Sequence, residues 1–221
     1  MMIMVVKIRK AKRLVASAYE VRELSFSYGG SPVIEHFDAT VRAGVVTAVI
    51  GGNGSGKSTL LNLFAGLIRP DGGTVAPMPA RPALLAQRTE HIDGLPLTVR
   101  DCLRIGRYAE VPFWRPLGFG NRRAADEMIE RVAMTRFRDT RLRDLSGGQR
   151  QRTMIAQTMV QSADLYLLDE PSVALDTAGK SMLFNLLHEK ADAGKAVLIA
   201  THDDDEIEFA DEIIDLGRPV R

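Results

Sequence analysis

Apolar positions recur along the chain in two rhythms. From Tyr19 to Tyr28 the β-branched and aromatic residues Val21, Phe26 and Tyr28 predict a strand. Gly29-Gly30-Ser31-Pro32 reads as a turn, and Val33 to Val41 as the second arm of an antiparallel hairpin. Val45 to Ile50 is a short continuous apolar run that stops at Gly51. Behind it, Ser58 to Ile68 carries apolar residues at 60, 61, 64 and 67, a helical spacing, so this stretch predicts strand, glycine loop, helix. Two further apolar runs, Leu165 to Leu168 and Ala196 to Ala200, end in acidic or histidine-bearing residues and fit buried strands of a parallel sheet. A last strand is expected near Ile213 to Leu216. Between Arg88 and Gly147 the rhythm turns helical, with helices expected over Thr98–Tyr108, Arg122–Met134 and Gly147–Gln161. An α-helical subdomain inserted into an α/β fold follows.

Length and composition narrow this picture. The 221 residues fit one large α/β domain with an insertion. The 45% hydrophobic and 26% charged shares exclude a disordered, collagen-like or coiled-coil chain. No run reaches the roughly 18–20 apolar residues that cross a bilayer, so any membrane role is peripheral. A formal net charge of +1 gives no global field for DNA, RNA or anionic lipid, so no nucleic-acid partner is expected. The single cysteine, Cys102, forms no internal disulfide. Met1 to Val6 are apolar and the basic Lys7, Arg9, Lys10, Lys12 and Arg13 follow, the reverse of a secretory leader. Residues 1–18 read as an extension, with a flexible arm, an upstream start codon and a lipid-touching basic arm all open.

Three stretches carry chemistry. Gly51-Gly52-Asn53-Gly54-Ser55-Gly56-Lys57-Ser58 fits the pattern Gly, four residues, Gly-Lys-Ser/Thr, between a strand and a helix. Such a loop cradles phosphates with its amides and the helix N-terminus. Lys57 then reaches the β- and γ-phosphates, and the Ser58 hydroxyl serves Mg²⁺. Leu165-Tyr166-Leu167-Leu168-Asp169-Glu170 delivers two adjacent carboxylates at a strand's C-terminal end, the edge where open α/β sheets bind ligands. Asp169 suits Mg²⁺ and Glu170 suits a water molecule. Leu145-Ser146-Gly147-Gly148-Gln149 opens a helix with two glycines, a second place for an anion.

With that pentapeptide the chain resembles the nucleotide-binding subunits of ATP-binding-cassette transporters, over roughly residues 19–216. The resemblance implies a P-loop NTPase core with a mixed, largely parallel sheet, an antiparallel β edge and an inserted helical subdomain at about 88–160. One cassette domain would span 19–216, followed by a tail at 217–221. It implies ATP and Mg²⁺ as ligands, held by Tyr28 on adenine, by 51–58 with Thr59, and by Gln87. Ser58, Gln87 and Asp169 fall at the Mg²⁺ positions, and Glu170, His202 and Lys57 at the catalytic ones. Leu145, Ser146, Gly147, Gly148 and Gln149, together with Asp176 in Val173-Ala174-Leu175-Asp176, would serve the ATP of a facing second copy. Gly52 stands where the family usually has proline, and Val173 where it has Ser, Thr or Ala.

By the same resemblance the partners are a second copy, transmembrane permease subunits and, indirectly, a solute-binding protein, at the cytoplasmic face of the membrane. Leu97-Thr98-Val99-Arg100-Asp101 followed by Gly106-Arg107-Tyr108 is similar to zinc and manganese importers, and iron-chelate importers share a similar form. A soluble, non-transport ATPase of the superfamily is the alternative from another class. Pro112 to Phe119, with Phe113, Trp114 and Phe119 beside Arg115, has the composition of a partner groove or of a small subdomain core. Arg131, Arg136, Arg138, Arg141 and Arg143 read as a solvated face, or as one turned to the membrane. His36, His91, His188, His202 and Cys102 do not cluster at metal-ligand spacing, so a transported metal would be handled by other subunits.

Overall fold

The computed structural model describes residues 18–78, 81–86, 95–108, 111–112 and 114–217; Gln87, Phe113 and most of the N-terminal extension and C-terminal tail lie outside them. The chain divides into two compact units, one of residues 1–84, 163–170 and 187–221, the other of residues 85–162 and 171–186.

In the first unit, β1 (Ala18–Tyr28) pairs antiparallel with β2 (Ser31–Arg42), closing at Tyr28 opposite Ser31. Gly29 and Gly30 form the tip with φ of 56° and 85°, the positive values a two-residue hairpin turn needs at both central positions. β4 (Gly72–Ala76) completes a three-stranded sheet in the order β2-β1-β4. A second sheet holds β3 (Val46–Ile50), β5 (Pro82–Leu85), β6 (Leu165–Asp169), β7 (Ala196–Ala200) and β8 (Glu212–Asp215) in the order β5-β6-β7-β3-β8. The β3–β7, β3–β8 and β6–β7 pairs are parallel. Every residue of β6 and β7 is buried, which is why these strands read as unbroken apolar runs rather than alternating ones.

α1 (Lys57–Phe64) lays Leu60, Leu61, Leu63 and Phe64 into a core shared with Val49, Leu167, Leu198 and Ile214, and with Val21, Ile34, Phe37 and Val41 of the antiparallel sheet. The helix expected to reach Ile68 ends instead at Phe64. Gly66 takes φ of 68° and Leu67 is 66% exposed, so the apolar spacing outlasts the helix that should bury it. A short helix, α6 (Asp204–Phe209), is capped by the Asp203 carboxylate, which accepts from the N–H groups of Asp205 and Glu206.

The second unit is helical, with α2 (Val99–Tyr108), α3 (Phe119–Arg131), α4 (Gly147–Met159) and the start of α5 (Thr177–Asp192). α3 begins and ends three residues before its expected bounds, and α4 stops two residues short of Gln161. The stretch that resembled metal importers has a structural job here. Thr98 and Asp101 cap α2 reciprocally, through Asp101 N–H to Thr98 Oγ1 at 3.2 Å and Thr98 N–H to Asp101 Oδ2 at 3.0 Å. A Cβ on Gly106 would lie 2.7 Å from the Gln157 carbonyl, so only glycine lets α2 approach α4 this closely. Arg107 then bonds the Val160 carbonyl at 2.6 Å and Asn121 at 2.8 Å, tying α2 to the end of α4 and to α3.

Cys102 is buried on α2, and burial pushes its thiol up to about 12. The thiolate is therefore absent at neutral pH. Ellman's reagent should leave Cys102 unmodified in the native chain and titrate one thiol in denaturant; fast labelling of the native chain would contradict the packing of α2.

Candidate functional site

Three parallel strands end side by side, and each delivers a predicted residue. β3 runs into the loop Gly51–Gly56, β6 ends at Asp169 with Glu170 next, and β7 leads to Thr201 and His202. Parallel pairing holds the ends level, with Asp169 opposite Ala200 and the Glu170 N–H bonded to the Ala200 carbonyl at 2.8 Å. Glu170 sits at φ of 47°, a left-handed conformation uncommon for a side chain of this kind, at the point where the chain leaves the sheet.

The glycine loop is shaped for contact through its backbone. A Cβ on Gly51 would fall 2.5 Å from Ser55 Oγ, and one on Gly56, at φ of 94°, would press on Val33 and Ile34 of β2. A Cβ on Gly54 would meet nothing within 4 Å, so that part of the loop is open to a ligand. Lys57, only 7% exposed, folds back over the loop and donates to the carbonyls of Gly51 at 2.7 Å and Gly52 at 3.1 Å. Among the described residues Ser55 Oγ is buried and has no partner, the state of a hydroxyl placed for a group that completes it. Tyr28 is half exposed at the hairpin tip, where its ring packs T-shaped against Phe26 with centroids 4.8 Å apart. Val33, two residues beyond Tyr28's partner Ser31, is the residue against Gly56, so the hairpin borders the loop.

Asp169 is buried and hydrogen-bonded to the Ser58 side chain. Burial lifts its pKa above the ordinary 3.8; the Ser58 bond opposes the rise, the Glu170 charge adds to it and Lys57 opposes it. Two hard oxygen donors, one of them an under-compensated carboxylate, suit Mg²⁺. Because the folded pKa is raised, the stability this group confers is complete below its unfolded value and is lost as pH rises through the folded one. Once ionised in the ligand-free chain, this carboxylate is therefore a destabilising charge. Asp169→Asn should raise the ligand-free melting temperature, read by calorimetry without nucleotide. An unchanged or lower midpoint would contradict it.

Beside this pair, His202 Nδ1 lies 3.1 Å from Glu170 Oε1. The His202 side chain is 64% exposed and that of Glu170 15%, so the imidazole faces outward while it fixes a sheltered carboxylate. Lys57, Ser58, Asp169, Glu170 and His202 are thus brought together as expected. Gln87 lies outside the described residues.

The other predicted group gathers in the second unit. Ser146 caps α4: its Oγ accepts from the Gln149 N–H at 3.4 Å, and Gln149 Oε1 accepts from the Ser146 N–H at 3.0 Å. A Cβ on Gly148 would come 2.8 Å from the Ala174 carbonyl, so the second glycine admits the loop that holds Asp176. Asp176 caps the start of α5 by accepting from the Gly179 N–H at 2.8 Å, and it pairs with Arg152 at 2.6 Å; both hold its carboxyl below the usual range, the Gly179 bond most. Ser146, Gly148, Gln149 and Asp176 share the wall of a cavity of about 370 Å³ with Met134, Phe137 and Arg152. Arg152 was missed in the sequence, where its only signal was a positive charge on the helix that opens with the pentapeptide.

The chain matches the family model described as ABC transporter over residues 34–173, more than half its length. It is 36% identical to the zinc transport system ATP-binding protein of Streptococcus pneumoniae, over 90% of this chain and 89% of that one. It is 31% identical to the manganese transport system ATP-binding protein of Halalkalibacterium halodurans, over 90% and 82% respectively. Among solved structures it superposes on the cassette in the dimeric structure of a bacterial ABC transporter cassette with a TM-score of 0.80, at 23% identity, covering 92% of this chain and 97% of that one. It also superposes on an inward-facing metal-chelate type ABC transporter with a TM-score of 0.75, at 26% identity, covering 90% and 79%. The chain therefore belongs to the ABC transporter family, as an ATP-hydrolysing subunit.

Proposed function

We propose that this chain is the ATP-hydrolysing subunit of an importer whose cargo is zinc or manganese. The observation that carries the cargo is that relatives matching over about nine tenths of the chain are themselves zinc and manganese transport ATP-binding proteins.

On this reading the first unit binds ATP. Tyr28 stacks on the base, and the amides of 52–58 face the phosphates with Thr59 behind them. Lys57 exchanges its bonds to the Gly51 and Gly52 carbonyls for phosphate oxygens, which costs little because one set of charge-assisted bonds replaces another. Ser58 and Asp169, with Gln87, would hold Mg²⁺, which when bound supplies positive charge to the phosphate oxygens. Glu170 orients a water for in-line attack and accepts its proton, while His202 fixes Glu170 Oε1 and turns its exposed edge to the γ-phosphate.

A second copy supplies Leu145 to Gln149 and Asp176 to the same nucleotide, so each site takes parts from two chains. Closure on ATP and release after hydrolysis then work a membrane permease, fed by a solute-binding protein, from the cytoplasmic face. Among the described residues no helix is long and apolar enough to cross a membrane, so the membrane path lies in that partner. Trp114 and Phe119, 72% and 82% exposed, offer apolar contact for it.

Uptake of radiolabelled zinc and manganese by metal-starved cells, with wild-type chain or Glu170→Gln, tests the cargo. Loss of one metal's uptake in the variant is expected. Unchanged uptake of both would overturn the cargo and leave a chelate importer or a non-transport ATPase.

A further inference from the structure

We infer that Arg152 is a positioning residue that locks the Asp176 loop onto α4, so that the pentapeptide and Asp176 reach a second copy as one surface. This rests on the reading above, in which both serve the facing subunit's ATP.

Three ties join α4 to the segment Pro171–Asp176, all within the second unit. Gln151 Nε2 donates to the Pro171 carbonyl at 2.8 Å, next to Glu170 in the chain. Gly148 admits the Ala174 carbonyl. Arg152 donates through an Nη to Asp176 Oδ1 at 2.6 Å, the same oxygen that accepts from the Gly179 N–H. The Arg152 side chain is 19% exposed whereas that of Asp176 is 69% exposed, so the guanidinium is the sheltered anchor and the carboxylate the presented group. The geometry around them is tight: a Cβ on Gly179 would lie 2.9 Å from Asp176 Oδ1 and 3.3 Å from the Arg152 guanidinium. Arg152 and Asp176 both line the cavity beside Ser146, Gly148 and Gln149, so the pair forms part of the surface offered outward. One Asp176 oxygen is consumed by this clamp, which orients the other toward whatever approaches.

ATP-driven dimerisation of the full chain, titrated by analytical ultracentrifugation in a Glu170→Gln background, tests this. Arg152→Ala should raise the ATP concentration for half-maximal dimer about tenfold, as loss of one well-packed charge-assisted bond implies. Binding of a fluorescent ATP analogue to the monomer should be unchanged, since that contact lies in the other unit. Arg152→Lys should recover part of the loss, and Arg152→Ala should add nothing once Asp176→Asn is present. Dimer formation by Arg152→Ala at the parental ATP concentration, or full additivity with Asp176→Asn, would overturn the clamp. Should Arg152→Ala not fold, the partial effect of Arg152→Lys and its absence in the Asp176→Asn background decide the question in the same way. A parent that never dimerises with ATP, or an Asp176→Asn chain that dimerises like it, would instead overturn the two-chain reading itself.

Discussion

Glu170→Gln should lower the rate of ATP turnover by about 10²–10³-fold while leaving nucleotide binding intact, because it removes a proton acceptor and keeps the shape and one acceptor oxygen. The side chain is sheltered, sits at the end of β6 in a left-handed conformation and is held by His202, so the glutamine amide occupies the same place. The two readouts must separate. Steady-state phosphate release should collapse in kcat with KM near that of the wild type, and ATP-bound dimers should accumulate because closure no longer ends in hydrolysis. Wild-type turnover by this variant would remove Glu170 from the chemistry.

Lys57→Ala should have a comparable effect by a different route. Hydrogen bonds to charged groups are worth about 1.5–3 kcal/mol each, so losing the ammonium predicts roughly 10–100-fold weaker ATP binding together with a further loss of turnover. Its removal also frees the Gly51 and Gly52 carbonyls that it now ties, adding loop disorder to the lost contact. Lys57→Arg should rescue poorly. Lys57 is only 7% exposed, and the wider planar fork of arginine does not match the compact ammonium that reaches the Gly51 and Gly52 carbonyls. Titration of a fluorescent ATP analogue measures both variants, and an affinity matching that of the wild type in Lys57→Ala would place the phosphates elsewhere.

Much of this site is legible in the sequence, and the reasons are local. Strand ends, a glycine loop and a helix start are adjacent in sequence, so 45–64 could be read as one unit. The paired carboxylates of 169–170 terminate an apolar run whose burial requires a parallel sheet. What sequence left open depends on contacts between distant segments. α1 ends at Phe64 although Leu67 continues its spacing, because Gly66 turns the chain and Leu67 is left 66% exposed among the described residues. α5 is not among the expected helices, although Leu183, Leu186, Leu187 and Ala191 recur at helical intervals and are buried. β4 is five residues long and opens with two glycines, and β5 is four residues long and opens with proline, so neither stands out as a strand. Arg152 illustrates the limit best: its partner lies 24 residues away, and no periodicity links them.

The capping geometry at Ser146 and Gln149 adds a point that pattern alone did not separate. Both side chains serve α4 internally, so the pentapeptide is at once a helix start and an outward surface. Gly148 has the same double character, since its missing Cβ is what lets the Ala174 carbonyl approach. Structural and functional readings of these residues are therefore compatible, and a substitution there acts on both.

On the proposed reading each ATP site takes parts from two chains, and mixing two inactive chains tests this. Glu170→Gln retains an intact pentapeptide, and Ser146→Arg retains an intact Glu170, so neither homodimer has a complete site but the mixed dimer has one. ATP hydrolysis by the mixture well above the sum of the two alone is the predicted result. A mixture no more active than that sum, with both chains folded and binding nucleotide, would contradict a shared site and confine the chemistry to the single chain.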